Sequence, residues 1–307
     1  MKRGVTCVGR ALVVFPGALG DFLLLAPALA ALRSGGLTVE LSVRRALAGL
    51  AYALFPGPAA PPADGAAVAS LFTSTLDPGL ADWLRGAARI DVWLGADAVL
   101  HRHARALGLA RLHHHRVERG DTGVHASVAY ARALGVTSPL VAPRPSDAWL
   151  AAAHARSRPR ALVIHPGAGA PAKRWSASGF LRLAAGWQAR GGETVVLLGP
   201  AEREEEECWR TSGHEVVSGL GLCEAAALIA SAPWYVGNDS GISHLAGLLD
   251  RRGVALFGPT RAARWRPLGA LEAIRWTGIS EDKVVARVAA RLATLAGDRL
   301  DTPTPWH

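Results

Sequence analysis

An α/β protein with two doubly wound parallel sheets is predicted by two features of the sequence. Short apolar, β-rich runs alternate with longer helical patterns along most of the chain, which is the pattern of parallel strands joined by crossover helices. Midway, residues 136–146 read VTSPLVAPRPS, and three prolines in so short a stretch mark a linker. A length of 307 residues is enough for two hydrophobic cores. The reading is two Rossmann-like domains, 1–145 and 146–307, facing a central cleft. A closing helix at 280–295 is free to pack back on the first domain.

Residues 11–15 (ALVVF) form a buried strand, followed by a Gly/Pro turn and an apolar helix over 22–33. A second strand covers 38–43 and a helix 44–54, and the Pro- and Ala-rich residues 56–62 are a loop. Further strands are expected at 67–71 and 89–94, and a helix at 123–134. Beyond the linker a helix covers 148–157. The alternation then sharpens. Strands are expected at 161–165, 194–198, 215–217, 234–236 and 254–257, with helices at 177–190, 201–211, 222–230, 241–249 and 280–295.

Composition narrows the class. Half of the residues are hydrophobic and 19% charged, which is the balance of a globular chain. The excess of 34 Lys and Arg over 25 Asp and Glu gives +9 and suits anionic partners such as phosphates or an acidic membrane face. Many arginines sit singly on helical patterns, as on any solvated surface. Cys7, Cys208 and Cys223 have no C-x-x-C spacing, which argues against a disulfide framework and a zinc ribbon and fits a reducing compartment. Lys2, Arg3 and Arg10 precede an apolar stretch over 11–32, but Pro16, Gly17, Gly20 and Asp21 interrupt it. That break argues against both a signal peptide and a membrane helix.

In open parallel sheets ligands sit beyond the carboxyl ends of the strands, so the loops that follow strands carry the information. The first, PGALGD at 16–21, has glycines that let backbone approach a ligand. Asp21 at the helix start is either a cap or a carboxylate able to take a proton from a hydroxyl. The loop is neither G-x-G-x-x-G nor Walker A. The second, HPGAGAPAKRW at 165–175, offers the amides of Gly167, Ala168 and Gly169, the point charge of Lys173 and the fork of Arg174 to phosphate oxygens. Trp175 is read as a packing residue. The third, GNDSGISHLAG at 237–247, places Asp239 and Ser240 before a helix, with Gly241 in its first turn and His244 one turn in. A helix start of this kind binds anions, while Asp239 is suited to sugar hydroxyls. Alternatively the same residues are a cap and a core histidine.

Other chemistries fit less well. G-N-D-S-G is not a nucleophile elbow, and Asp239, Ser240 and His244 share one short turn, which is poor geometry for a relay. His101, His103, His113, His114 and His115 have no Cys or carboxylate partners at ligand spacing. The acidic run 202–207 reads as a solvated first turn, although Glu202 can accept ribose hydroxyls.

Together the loops resemble glycosyltransferase family 9, the ADP-heptose:lipopolysaccharide heptosyltransferases. The matching text is PGALGDFLLLAPALAALR (16–33), HPGAGAPAKRWSASGFLRLA (165–184), VVLLGPAERE (195–204), VGNDSGISHLAG (236–247) and ALFGPTRAARWRPLG (255–269). The resemblance implies a GT-B fold and an inverting enzyme that needs no metal or other cofactor. It implies an N-terminal domain for a lipid-linked, lipopolysaccharide-core-type acceptor and a C-terminal domain for a nucleotide-sugar, ADP-heptose being the family's commonest. By the same resemblance Asp21 is the general base and Lys173 the donor-phosphate lysine. Ala168 and Gly169 lie near the diphosphate through their backbone amides, Glu202 holds the ribose, and Leu220 lies at the adenine. Asp239 meets the donor sugar, and Ser240, Gly241 and His244 form the phosphate-binding helix start. The expected setting is cytoplasmic, peripheral on the anionic inner face of the cytoplasmic membrane, with no nucleic-acid partner. Residues 35–145 carry little of the resemblance, so a non-catalytic nucleotide-sugar-binding relative is the competing reading.

Overall fold

The computed structural model describes residues 9–95, 98–109, 111–116, 123–151 and 156–297. Lys2, Arg3, Cys7 and residues 152–155 of the helix expected at 148–157 lie outside them. The chain divides into two compact units, Met1–Pro145 and Ser146–His307.

The first unit runs β1 (Gly9–Phe15), α1 (Leu19–Ser34), β2 (Leu37–Val43), α2 (Ala48–Leu54), α3 (Ala66–Ala69), α4 (Pro78–Leu84), β3 (Arg89–Val92), α5 (Ala98–Ala106), β4 (Leu112–His114) and α6 (Ala126–Ala133). Its sheet is parallel, in the order β2-β1-β3-β4. The centre falls to β1 because Ala11, Leu12, Val13, Val14 and Phe15 are all fully buried. A strand apolar on both faces belongs between helical layers. Helix α1 is buried from Phe22 to Leu29, apolar all round, as a helix must be when it is enclosed by β2 and α6.

Several expectations for this unit are corrected. Residues 67–71 are not a strand but α3 and a following 3₁₀ turn, Ser70–Phe72. The run is alanine-rich, and its buried residues, Val68 and Leu71, are spaced by three, the helical interval. The helix expected from 123 begins at Ala126, with the His125 ring accepting from the Ser127 amide. Helix α4 was not foreseen, although it carries a full start signal: Asp77 accepts from the Leu80 amide at 2.8 Å and Pro78 takes the first position.

The second unit runs α7 (Asp147–Ala151), β5 (Ala161–His165), α8 (Ala177–Gln188), β6 (Glu193–Leu198), α9 (Glu206–Thr211), β7 (Glu215–Ser218), α10 (Leu222–Ser231), β8 (Trp234–Asn238), α11 (Gly241–Leu248), β9 (Arg252–Phe257), α12 (Ala262–Trp265), β10 (Leu271–Arg275) and α13 (Glu281–Ala296). Its six strands are parallel in the order β10-β9-β8-β5-β6-β7. Strand β10 was not foreseen; it is an edge, mostly exposed, and so lacks the apolar run that marks a covered strand. Trp187 and Trp234 meet edge to face at 4.9 Å in the core. Val284, Val288, Leu292 and Ala296 recur every four residues and bury α13 against α8 and β9 of its own unit. Among the described residues no helix is long and apolar enough to cross a membrane.

Strand order locates the candidate sites. In the second sheet the chain winds outward from β5 through β6 to β7, and from β8 through β9 to β10, so winding reverses between β5 and β8. In the first it reverses between β1 and β3. Crevices open at such switch points. The loops after β5, β8 and β1 are the three singled out in the sequence.

Close backbone approach fixes α11. A Cβ on Gly247 would lie 2.1 Å from the Leu268 carbonyl oxygen, and one on Gly269, at φ +91, would lie 2.2 Å from the Gly247 carbonyl oxygen. Both contacts are with backbone, which cannot swing aside. Gly247→Ala should therefore cost about 2 kcal/mol, read in urea unfolding as a lower midpoint at unchanged slope.

Candidate functional site

The loops after β5 and β8 are stapled together. Asn238, fully buried at the end of β8, donates from Nδ2 to the Pro166 carbonyl at 2.6 Å and accepts on Oδ1 from the Trp175 amide at 3.0 Å. Trp175 is a packing residue, buried edge-on to Phe180 at 5.0 Å. Tyr235 donates to Ser243 Oγ at 2.9 Å, and Ser243 Oγ donates in turn to the Asn238 carbonyl at 2.5 Å. Asn238, Tyr235 and Ser243 were missed in the sequence. Asn238 lies within the quoted GNDSG, but a residue that holds two loops in register leaves no mark distinct from a polar loop residue.

His165 ends β5 fully enclosed, its Nδ1–H donating to the Leu197 carbonyl at 2.8 Å. Burial pushes its pKa below the usual histidine value, outweighing the bond to Leu197 and the nearby Glu202 carboxylate. The sign follows from linkage. As pH falls through the ordinary histidine value, about 6.5, the unfolded chain binds a proton that folded His165 refuses, so stability declines. The unfolding free energy should drop between about pH 7 and pH 5, and His165→Gln should flatten that slope in denaturant titrations.

Of the two readings of Glu202, the solvated first turn is the one the structure overturns. The residue is 3% exposed, within the 3₁₀ segment Pro200–Glu205. Its Oε2 accepts from the Gly199 amide at 3.0 Å and its Oε1 from Arg174 Nη2 at 2.9 Å. Gly167 has to be glycine, because a Cβ there would sit 2.5 Å from the Glu202 carboxyl carbon. Arg174 is corrected as well. Its fork spans Glu202 and, at 3.2 Å, Glu205, so carboxylates occupy the side chain that the sequence offered to phosphate oxygens. A carboxylate has about four acceptor sites, so Glu202 keeps capacity for a ribose hydroxyl. Ala168 is buried, whereas Gly169 has nothing within 4 Å of where a Cβ would stand.

The third loop brings the charge. Asp239, 4% exposed, follows β8, and its Oδ2 accepts from Lys173 Nζ at 2.8 Å and from Thr260 Oγ1 at 2.6 Å. Lys173, 31% exposed at its side chain, lies over the buried carboxylate. An ammonium has three protons, so one bond to Asp239 leaves Lys173 able to donate outward. Thr260, in the GPT turn after β9, was not singled out in the sequence. Ser240 caps α11, its Oγ accepting from the Ser243 amide at 3.3 Å. Gly241 opens the helix, half-buried, and His244 is buried one turn on, its amide donating to the Ser240 carbonyl at 3.2 Å. This puts a helix start, with its partial positive charge, directly after Asp239, the carboxylate that Lys173 and Thr260 share. Leu220 is half-buried between β7 and α10, after Gly219 in the left-handed region.

In the first unit, Asp21 is the third residue of α1. The cap position belongs to Ala18, with no side-chain bond, so the capping alternative for Asp21 is overturned. Its Oδ1 instead accepts from Tyr130 Oη at 3.1 Å. Phe15, Trp93 and Tyr130 pack edge to face at 5.5–6.2 Å. His115 tilts onto Trp93 at 4.3 Å and donates from Nε2 to Asp91 at 2.7 Å, while Arg89 grips the same carboxylate at 2.5 and 2.9 Å. Burial raises the pKa of Asp91, but these two partners overcome it and hold the carboxyl below its usual value. Among the described residues no three His, Cys, Asp or Glu side chains gather as metal ligands.

The description of glycosyltransferase family 9 (heptosyltransferase) matches residues 99–290. Lipooligosaccharide heptosyltransferase 2 of Campylobacter jejuni is 28% identical over 122 residues, 36% of this chain and 38% of that relative. Lipopolysaccharide heptosyltransferase 2 of Salmonella typhimurium is 36% identical over 105 residues, 29% of this chain and 28% of the relative. The chain thus aligns with well under half the length of these curated relatives. The solved ADP-heptose lipopolysaccharide heptosyltransferase II of E. coli superposes with a TM-score of 0.73 at 19% identity, covering 94% of this chain and 100% of that one, and the shared fold is GT-B. A family description that spans residues 99–290, on top of that fold, settles the affiliation: the chain belongs to glycosyltransferase family 9.

Proposed function

We propose that this chain transfers a sugar, heptose from ADP-heptose, onto a lipopolysaccharide-core-type acceptor, with inversion and without a metal ion. The observation that carries the proposal is the grouping of Lys173, Asp239, Thr260 and the Ser240-capped start of α11 at the switch point of the second sheet. That grouping suits a diphosphate beside a sugar. Lys173 and the amides of α11 meet the phosphates, Asp239 meets sugar hydroxyls, and Glu202 holds the ribose. Ala168 and Gly169 contribute backbone amides, His244 lies within the helix start, and Leu220 covers the adenine.

The chemistry follows from charge. Asp21 removes the proton of an acceptor hydroxyl as its oxygen attacks the anomeric carbon. The bond from that carbon to the diphosphate oxygen breaks, and the nucleoside diphosphate leaves with the bonding pair. Lys173 and the helix start stabilise the charge that develops there, the task a divalent metal performs in other transferases. In this reading residues 1–145 take the acceptor and 146–307 the donor. The +9 charge favours work on an anionic, cytoplasmic membrane face. The comparisons support heptose through the relatives' names, and ADP-heptose through that of the E. coli structure.

A thermal-shift series with ADP, UDP and GDP, run with a chelator, tests the donor site. ADP should raise the melting temperature in a concentration-dependent way, since a ligand that binds only the folded state stabilises it. No shift with any of the three would contradict the reading.

A further inference from the structure

We propose that Tyr130 is a positioning residue for Asp21: its hydroxyl fixes the carboxylate's orientation and keeps it ionised until the acceptor arrives. The proposal rests on Asp21 being the base. The bond from Tyr130 Oη to Asp21 Oδ1 is 3.1 Å and joins α6 to the first turn of α1, 109 residues apart in sequence. A hydrogen bond donated to a carboxylate stabilises its charged form. Alignment matters as much, because a base off its mark by an ångström loses much of its rate.

What makes Tyr130 more than a chance neighbour is how firmly it is held. It is 5% exposed, its ring edge-on to Phe15 at 5.9 Å and to Trp93 at 6.2 Å. Trp93 is braced in turn by His115, just beyond β4, which bonds Asp91 within β3, the carboxylate that Arg89 also grips. Phe15 ends β1 and Trp93 follows β3, the two strands between which winding reverses. The aromatic box therefore fixes the phenol where the first unit's crevice opens. Asp21 is then aimed by packing as well as by its own helix.

Other charged groups stand on the elements around α1 and α6. Arg44, beyond β2, donates to the Pro16 carbonyl at 2.5 Å, and Glu40 on β2 is paired with Arg10. His125 and Arg132 lie at the ends of α6, and Arg89, Asp91 and His115 lie behind Trp93. All remain in Tyr130→Phe, which removes a single oxygen and keeps the ring, so a difference between profiles reports the phenol.

The test is the pH dependence of kcat and kcat/KM for transfer from ADP-heptose, in wild type, Tyr130→Phe and Asp21→Asn, with a second probe in which 3-fluorotyrosine replaces Tyr130. Tyr130→Phe should move the acid limb up by roughly one pH unit and lower plateau kcat about tenfold, with donor KM unchanged. The more acidic fluorophenol is a stronger donor and should move the limb down. Profiles that superimpose on wild type for both replacements, with Asp21→Asn inactive, would overturn the role of Tyr130 and leave the base in place. Full activity in Asp21→Asn would remove the base and this proposal with it.

Discussion

Asp21→Asn should lower sugar transfer by about 10²- to 10⁴-fold, the usual contribution of a positioned general base. The substitution is nearly isosteric, and its amide oxygen can still accept from Tyr130, which bonds Asp21 Oδ1 in the wild type. Helix α1 should persist, because Asp21 does not cap it. The residues proposed to bind the donor all lie within 146–307, so the affinity for ADP should match wild type in titration calorimetry. A variant that binds donor normally and does not turn over separates chemistry from binding. Transfer at a near-normal rate would remove Asp21 from the mechanism.

Lys173→Ala should weaken ADP binding by roughly 10- to 100-fold, the scale of one lost charge-assisted phosphate contact. Two effects act together. The ammonium no longer meets the phosphates, and Asp239, buried at 4% exposure, loses the cation 2.8 Å away. The orphaned carboxylate then repels the incoming diphosphate. The second effect separates from the first in a double variant. Adding Asp239→Asn to Lys173→Ala should recover part of the ADP affinity, because the repelling charge is gone while Thr260 keeps an oxygen to bond. Equal ADP affinity in wild type and Lys173→Ala would place the phosphates elsewhere.

The legible parts of the sequence were those with strong one-dimensional signals. β1, β5, β6, β8 and β9 are buried through their centres, so each carries an apolar run such as ALVVF, ALVI, VVLL, WYV or VALF. The three loops followed from them, because glycine, proline and charged residues cluster after those runs. The first unit was harder to read beyond β2. Its helix α3 reads as a strand in sequence because four residues, AAVA, are too few to show a period. β4 has three residues, two of them histidine, and β10 is an exposed edge, so neither carries an apolar signal.

In the candidate sites, the sequence places Asp21, Lys173 and Asp239 but not their partners. Tyr130 lies 109 residues from Asp21, and Thr260 lies 21 from Asp239. Spacing along a chain does not encode such contacts, which arise only when parallel strands bring distant loops to one edge. The pairing of Arg174 with Glu202 is hidden for the same reason: 28 residues separate them, and only the close approach at Gly167 brings the two loops together.

The most direct measurement of the central claim is mass spectrometry of a heptose-deficient lipopolysaccharide core incubated with ADP-heptose, chelator and either wild type or Asp21→Asn. Wild type should add a heptosyl unit to the core and release ADP in equal amount, and Asp21→Asn should add none. Tight binding of ADP-heptose by wild type with no product on the core, or equal product from both proteins, would contradict the account.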